Sequence, residues 1–271
     1  MTEKDITAES LRLPAEISRY TAGKEFTADG IGMSGCTVLV YEDMVLKITE
    51  DTENGRRTAE MMRWMDGRLP VPRVIEHCIC GGKSWLLMSK VGGRMCCDTR
   101  FLEHPKELLD LLAEGLRMLW STDISDCPRV MDLDVELAAV RRRVEQGLAD
   151  TEHSRFGSSE GGSFRDPAEL LEWLENNRPS YEPVMSHGDY CLPNVFADNG
   201  RISGFIDLED CGIADRYRDI SLCWLSLKWN FDGTFGGKVY PDFDPDMLFD
   251  AIGIDIDREK LRYYLLLSEL F

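Results

Sequence analysis

The sequence predicts an α+β fold with two lobes: a small β-rich N-terminal lobe and a larger, mainly helical C-terminal lobe. Up to residue 93, short apolar runs alternate with polar residues and are separated by glycine turns, which is typical of strands. Beyond that point leucines recur at spacings of three and four over long segments, which is typical of amphipathic helices. We therefore expect residues 1–93 to form one lobe, residues 94–271 the other, and residues 88–93 the hinge between them.

The N-terminal lobe is predicted to contain five strands and one helix. Residues 26–50 contain a glycine-rich turn followed by two alternating apolar runs, and residues 71–80 and 83–91 are predicted strands around a Gly-Gly turn. Residues 56–67 have helical composition, and Gly67 is a suitable residue to end that helix.

The C-terminal lobe is predicted to contain a series of helices and one β-hairpin. Asp166 followed by Pro167 is a favourable helix start, since Asp caps the first turn and Pro fits the first helical position. Asn199-Gly200, between two alternating runs, predicts the hairpin. A cleft between two such lobes is a natural ligand site. The predicted helices cover residues 105–123, 133–150, 166–177, 212–229, 244–253 and 257–271.

Composition excludes several classes of function. The net charge of −18 argues against a nucleic-acid partner, which needs a cationic surface, and favours a small cationic partner; solubility alone is the alternative. No run of about 18 apolar residues and no secretory signal is present, so we expect no membrane span and a cytoplasmic location. Nine cysteines without a CxxC pair indicate reduced thiols rather than disulfides or zinc.

Two features of the N-terminal lobe suggest phosphate binding. Gly30, Gly32 and Gly35 match the pattern GxGxxG, but a strand follows instead of the helix that a dinucleotide fold requires. A glycine-rich hairpin that closes over phosphates, with Ser34 as a hydrogen-bond donor, remains, as does an ordinary flexible hairpin. Lys47 lies in an apolar strand, where a lysine is costly unless it meets an anion such as a nucleotide phosphate. An edge-strand lysine that points to solvent is the alternative.

The stretch "SHGDYCLPNVF" combines Asp189 and Asn194 at a spacing of five, and Asp207 follows after the predicted hairpin. Phosphoryl transfer needs an aspartate at the attacking hydroxyl, and an asparagine and a second aspartate at Mg²⁺. Singly, each residue has an ordinary explanation as a turn or cap residue. Together they match the catalytic order of protein kinases and predict a protein-kinase-like fold, with His187 as a structural residue of the loop.

The chain resembles the aminoglycoside phosphotransferases, which are kinases that modify antibiotic hydroxyls, and is most similar to the aminoglycoside 3′-phosphotransferases. The resemblance covers most of the chain. Its carriers are "LPVPRV", "LLMS", "DISDCP", "FRDP", "SHGDYCLPNVF", "NGRISGFIDL", "ADRYRDI" and "YYLLLSELF".

For the nucleotide, the resemblance implies ATP or GTP as phosphoryl donor and a hinge at Met88, Ser89 and Val91 that faces the adenine. It also implies that Lys47 contacts the phosphates and that Asp189 is the catalytic base or orienting residue.

For the metal and the acceptor, the resemblance implies Asn194 and Asp207 as ligands of two Mg²⁺ ions. It implies a cationic aminoglycoside as substrate, contacted by Glu269 and by the terminal carboxylate of Phe271. The antibiotic-binding loop offers Glu160 among glycines and serines.

The chain also departs from the family pattern. The glutamate expected to pair with the lysine falls at Thr58, and Glu60 serves only if the helix is shifted or rotated. Glu209 and Asp210 replace a Gly-Arg pair, and Leu225 replaces an arginine. These departures leave two alternatives open: a kinase for a different hydroxylated small molecule, or a nucleotide-binding pseudoenzyme.

Overall fold

The computed structural model describes residues 12–29, 36–149 and 164–271. Its N-terminal part is an antiparallel sheet with accompanying helices, and its C-terminal part is mainly helical. The predicted α+β, two-lobed fold class is therefore confirmed. The last strand of the five-stranded sheet along the chain ends at Ser89. The division of the chain into two lobes at residue 93 stays a prediction.

The N-terminal sheet has the five strands that the sequence predicts. They are β1 (Thr27–Asp29), β2 (Thr37–Val40), β3 (Met44–Glu50), β4 (Val74–Cys80) and β5 (Lys83–Ser89). Neighbouring strands are antiparallel, in the order β1-β2-β3-β5-β4. Leu46 and Ile48 of β3 are buried in the apolar core of this lobe. Because side chains alternate along a strand, Lys47 projects from the opposite face of the sheet.

Most helices of the described ranges correspond to predicted amphipathic segments. They are α1 (Ala15–Thr21), α2 (Glu53–Met65), α3 (Thr99–Leu102), α4 (Pro105–Trp120), α5 (Leu133–Glu145), α6 (Pro167–Asn176), α7 (Arg216–Phe231), α8 (Met247–Ile252) and α9 (Arg258–Ser268). Many begin after a side chain that accepts a backbone N–H of the first turn, as a capping residue does. These residues are Thr52, Asp98, Asp132, Asp166, Asp215 and Asp257.

Short strands in the C-terminal part form the frame of the candidate site. They are β6 (Arg94–Met95), β7 (Pro183–Ser186), β8 (Val195–Asp198), β9 (Arg201–Phe205) and β10 (Gly212–Asp215). Strands β8 and β9 form the predicted hairpin, with φ of 49° at Asn199 and 74° at Gly200, the positive values that a type I′ turn requires. Strand β6 pairs with β8, and β7 pairs with β10.

Two helices were missed, and two predicted helix boundaries were wrong. Helices α1 and α3 were not predicted. The helix predicted from residue 212 begins at Arg216, because residues 212–215 pair with β7 and Asp215 caps the first turn by accepting from Tyr217 N. The helix predicted to reach residue 150 ends at Glu145, shortly before Gly147 takes the left-handed conformation (φ 67°) that ends helices.

The apolar side chains form two cores. One lies in the N-terminal sheet around Leu39, Leu46 and Leu87, and the larger one joins the helices of the C-terminal part to α2. None of the nine cysteines forms a disulfide. Within the described ranges, no helix combines the length and apolar composition that crossing a membrane requires.

Candidate active site

The loop between β7 and β8 carries Asp189 and passes very close to the segment after β9. Gly188 has a φ of 88°, in the left-handed region that favours glycine. A Cβ atom at this position would lie 2.2 Å from the carbonyl oxygen of Asp210 and 2.3 Å from Nη1 of Arg218. A glycine is therefore required for the Asp189 loop to approach this segment.

Asp219 of α7 fixes the loop that carries Asp189 through hydrogen bonds. Its carboxylate is fully buried. Oδ1 accepts hydrogen bonds from Ser186 Oγ (3.0 Å) and Gly188 N (2.9 Å), and Oδ2 accepts one from His187 N (2.8 Å). Burial raises the pKa of Asp219, and the surrounding donors oppose only part of that effect. Two of these hydrogen bonds fix the backbone immediately before Asp189 and the third holds the Ser186 side chain, which the sequence analysis did not anticipate.

The carboxylate of Asp189 is oriented by its own loop. Asn194 donates with Nδ2 to Asp189 Oδ2 (2.8 Å) and to the Asp189 carbonyl oxygen (3.0 Å). The thiol of Cys191 donates to Asp189 Oδ1, with Sγ at 2.9 Å; burial, and then the charge of Asp189, raises the pKa of Cys191 well above its usual value and keeps the thiol protonated. His187 is buried and its Nδ1 accepts from Asp189 N at 3.2 Å, which is a contact within the loop.

Asn194 directly precedes β8 and Asp207 follows β9, so both lie at the open end of the β8–β9 hairpin. Ile206 N donates to the Asn194 carbonyl oxygen at 3.0 Å, so Asp207 follows directly beside Asn194. Asp207 has a φ of 58°, which is uncommon for a residue with a side chain and is found at functional positions. The left-handed turn directs the chain away from the hairpin at this residue.

The donor atoms at this point fit Mg²⁺. Asn194 uses its amide nitrogen to bind Asp189, which leaves its amide oxygen as the atom for a cation beside the Asp207 carboxylate. Among the described residues, no group of three or more His, Cys, Asp or Glu side chains is placed to hold a metal ion. Magnesium is usually bound by one or two carboxylates together with substrate phosphates, and this donor set agrees with that pattern.

Lys47 links the N-terminal sheet to this cluster. Its Nζ lies 2.9 Å from Asp207 Oδ1 and 2.6 Å from Glu209 Oε1, and its side chain is only 14% exposed. Burial lowers the pKa of Lys47, but the two carboxylates outweigh it and raise the pKa above its usual value. The prediction that Glu60 pairs with Lys47 was wrong: Glu60 is exposed on α2, whereas Thr58, about 200° away around the helix, is the buried position.

Two buried arginines that the sequence analysis missed hold the segment after Asp207. Arg129 Nη1 donates to the Glu209 carbonyl oxygen at 2.6 Å. Arg218 forms a buried ion pair with Glu136 and donates with Nη1 to the Asp210 carbonyl oxygen at 3.3 Å. Neither could be recognised in advance, because each contact joins segments that are far apart in the chain or depends on the turn after β9.

The predicted hinge begins in the last two residues of β5, Met88 and Ser89, and continues beyond the strand. Ser89 exchanges two hydrogen bonds with Arg73, donating from its N–H and accepting at Oγ, each at 2.9 Å. Met88 is half-buried against the larger core. The side chain of Val91 packs onto Gly204 of β9, where a Cβ atom would lie 2.5 Å from Val91 Cγ1. The hinge is thus fixed to the C-terminal hairpin by close packing.

A cleft of about 190 Å³ lies beside Asp189. Asp210 and Phe271 also line it, so the structure brings two of the predicted site residues, Asp189 and Phe271, to one place. Arg143 Nη2 donates to the terminal oxygen of Phe271 at 2.6 Å and fixes the end of the chain there. Glu269 is half-buried and is not among the residues that line this cleft.

Two predicted residues lie outside the described residues. They are Ser34, in the glycine-rich turn, and Glu160, in the predicted antibiotic-binding loop. Their roles stay predictions.

Comparison with known proteins gives consistent similarities. Residues 25–262 match the model of the phosphotransferase enzyme family. The chain is 35% identical to an aminoglycoside 3′-phosphotransferase of Enterococcus faecalis, and also 35% identical to one of Staphylococcus aureus. In each case the match covers 96% of this chain and 99% of the relative.

Solved structures show the same fold. The aminoglycoside phosphotransferase APH(3″)-Id from Streptomyces rimosus has a TM-score of 0.76 at 20% identity, with 98% of this chain and 99% of that chain covered. The same enzyme was also solved with ADP and streptomycin, with a TM-score of 0.75. An aminoglycoside-3′-phosphotransferase of type VIII has a TM-score of 0.74 at 26% identity, and both chains are covered completely, at 100%.

Proposed function

The chain belongs to the phosphotransferase enzyme family, and on this basis we propose that it transfers the γ-phosphoryl group of ATP or GTP to a hydroxyl of an aminoglycoside. The observation that carries the proposal is a series of side-chain and backbone contacts that brings four predicted site residues together. Lys47 contacts Asp207, Asp207 lies beside Asn194, and Asn194 holds the carboxylate of Asp189. Phosphoryl transfer requires a phosphate contact, metal ligands and a group that accepts the proton of the substrate hydroxyl, and these four residues supply them.

In this mechanism the carboxylate of Asp189 accepts a hydrogen bond from the hydroxyl of the aminoglycoside. The hydroxyl oxygen forms a bond to the γ-phosphorus, the bond from that phosphorus to the β–γ bridging oxygen breaks, and its electron pair leaves with the nucleoside diphosphate. The proton of the hydroxyl passes to Asp189, whose carboxylate is already oriented by Asn194 and Cys191. Mg²⁺, when bound at Asn194 and Asp207, neutralises charge on the phosphates.

The nature of the acceptor rests on charge and on the relatives. Asp189, Asp210 and the end of the chain at Phe271 line one cleft, and carboxylates in a cleft attract cations. The curated relatives with 35% identity are named aminoglycoside 3′-phosphotransferases, which supports the 3′-hydroxyl as the modified group. The Streptomyces rimosus enzyme solved with ADP supports ATP as the donor.

We further propose that residues 1–93 bind the nucleotide and residues 94–271 carry the catalytic and acceptor sites. Lys47 and the hinge lie in the first range, and Asp189, Asn194 and Asp207 lie in the second. We also propose a cytoplasmic location, which nine cysteines outside disulfides support.

The test is a transfer assay with Mg²⁺ and either ATP or GTP on a matched pair of aminoglycosides that differ only in the 3′-hydroxyl. The proposal expects phosphate on the compound that has the 3′-hydroxyl and none on its 3′-deoxy partner. Equal phosphorylation of both would reject the 3′ position. Absence of transfer to any member of an aminoglycoside panel, with nucleotide binding intact, would reject the class of acceptor.

A further inference from the structure

Lys47 has two carboxylate partners, and only one of them belongs to the predicted catalytic set. Asp207 Oδ1 lies at 2.9 Å and Glu209 Oε1 at 2.6 Å from Nζ. Glu209 stands where the resembling family has glycine, and Thr58 stands where it has the glutamate that pairs with the lysine. Both departures therefore concern the partner of the same lysine.

The two partners differ in what they are free to do. Asp207 lies beside Asn194 at the donor set that fits Mg²⁺, so a bound metal competes with Lys47 for its carboxylate. Were Asp207 to bind a metal, Glu209 would be the carboxylate that remains free to hold Lys47. A lysine with a four-carbon side chain loses rotamer freedom when it is held in one position, and a second carboxylate at 2.6 Å fixes that position before the phosphates arrive.

The segment that carries Glu209 is anchored to the same helix that lacks the glutamate. Arg129, which is only 5% exposed, donates with Nη1 to the Glu209 carbonyl oxygen at 2.6 Å and with Nη2 to Asn54 Oδ1 at 2.5 Å. Asn54 lies in the first turn of α2, one turn before Thr58. The helix, the segment after β9 and Lys47 are thus connected through Arg129 and Glu209.

We propose that Glu209 is the residue that positions Lys47 for the nucleotide phosphates, in place of a glutamate on α2. This inference rests on the proposed function for the role of Lys47 at a nucleotide. It explains together the loss of an acid at Thr58 and the gain of one at Glu209. Glu209 could instead bind the metal directly, and the experiment below distinguishes this role from the positioning of Lys47.

The experiment is a double-mutant cycle between Lys47 and Glu209. The proteins are wild type, Lys47→Met, Glu209→Gln and the double variant, with Glu60→Gln as a matched control on the exposed face of α2. The measured quantities are kcat and KM for ATP, the dissociation constant of ADP by direct titration, and the midpoint of urea unfolding without nucleotide. The unfolding cycle measures the pair even if no aminoglycoside is phosphorylated, so failure of the proposed function and failure of this inference are distinguishable.

We expect Glu209→Gln to lower kcat/KM for ATP about tenfold, the low end of the range for one hydrogen bond between charged groups, because the Glu209 side chain is 36% exposed. In the Lys47→Met background the same substitution changes kcat/KM less than about twofold, because a positioning residue acts only through its partner. Glu209→Gln also lowers the urea midpoint less in the Lys47→Met background than in wild type. Glu60→Gln has the kcat/KM and the urea midpoint of wild type. Thr58→Glu combined with Glu209→Gln recovers most of the lost kcat/KM, since it returns the acid to the helix.

Several results would overturn the inference. One is an unchanged kcat/KM for Glu209→Gln, and another is an equal loss in the presence and absence of the Lys47 side chain. A loss that higher Mg²⁺ concentration restores would assign Glu209 to the metal instead. A folded Thr58→Glu/Glu209→Gln protein no more active than Glu209→Gln would also contradict it; if that protein does not fold, the cycle alone decides.

Discussion

Replacement of Asp219 by asparagine tests whether this buried carboxylate holds the catalytic loop. In the wild type, Oδ1 accepts from Ser186 Oγ and Gly188 N, and Oδ2 accepts from His187 N at 2.8 Å. An asparagine keeps one acceptor oxygen and replaces the other with an NH₂ group. Whichever way the amide is turned, a donor then faces a donor inside a site that is fully buried.

The cost follows from these contacts. With the amide oxygen at the Oδ1 position, the hydrogen bond to His187 N is lost and the remaining two are no longer charge-assisted. Loss of one hydrogen bond to a charged group, with a buried donor left unpaired, costs about 3 kcal/mol in the free energy of unfolding. A shift of about 1 Å in the loop would also lower kcat about 100-fold, because Asp189 follows directly after the bonded residues.

The assay is urea unfolding together with kcat at saturating nucleotide. The control is Asp134→Asn, which removes an ion pair to Arg178 from an aspartate whose side chain is 79% exposed, and which costs less than about 1 kcal/mol. The reasoning is refuted if Asp219→Asn unfolds at the same urea concentration as wild type and retains its kcat. Loss of stability equal to that of the control would refute it as well.

Two further predictions concern single side-chain contacts. Cys191→Ala removes the thiol that donates to Asp189 Oδ1. We expect kcat to fall several-fold, on the scale of one hydrogen bond of about 1 kcal/mol, and KM for ATP to stay unchanged. Cys191→Ser, which keeps a donor, serves as control. The pKa of Asp126 is lowered from 3.8 to about 2, first by the hydrogen bond from Arg68 and then by that from Trp64. The Asp126 carboxylate therefore stabilises the folded protein above its pKa in the unfolded chain, and this stabilisation is lost as the pH falls through its pKa in the folded protein. Urea unfolding of wild type and Asp126→Asn between about pH 5 and about pH 2 should therefore show a difference in stability that disappears at the acid end, and a difference independent of pH would contradict this explanation.

Local patterns predicted much of the fold because they depend on neighbouring residues. Asn199-Gly200 specified its hairpin turn, and Asp166 specified a helix start, through hydrogen bonds and φ values set within a few residues. The spacing of Asp189 and Asn194 likewise placed both residues in one loop, but the hydrogen bond from Asn194 Nδ2 to Asp189 Oδ2 was not predicted.

Contacts between distant segments could not be predicted in the same way. Lys47 and Asp207 are 160 positions apart, and only the folded chain shows that Glu209 reaches the same ammonium group. Asp219 was missed because a buried aspartate on a helix has the same local sequence signals as an exposed one. Glu60 was mistaken for the partner of Lys47 because residue type alone does not tell which face of α2 meets the sheet.

The central claim is that Asp189 acts on the acceptor hydroxyl within an intact nucleotide site. The most direct measurement is single-turnover transfer from ATP to an aminoglycoside by Asp189→Asn, with the dissociation constant of ADP measured on the same protein. We predict that the transfer rate falls by about 100- to 10,000-fold, the range for loss of a general base, while ADP binding changes little. Transfer at the wild-type rate by this variant would contradict the account.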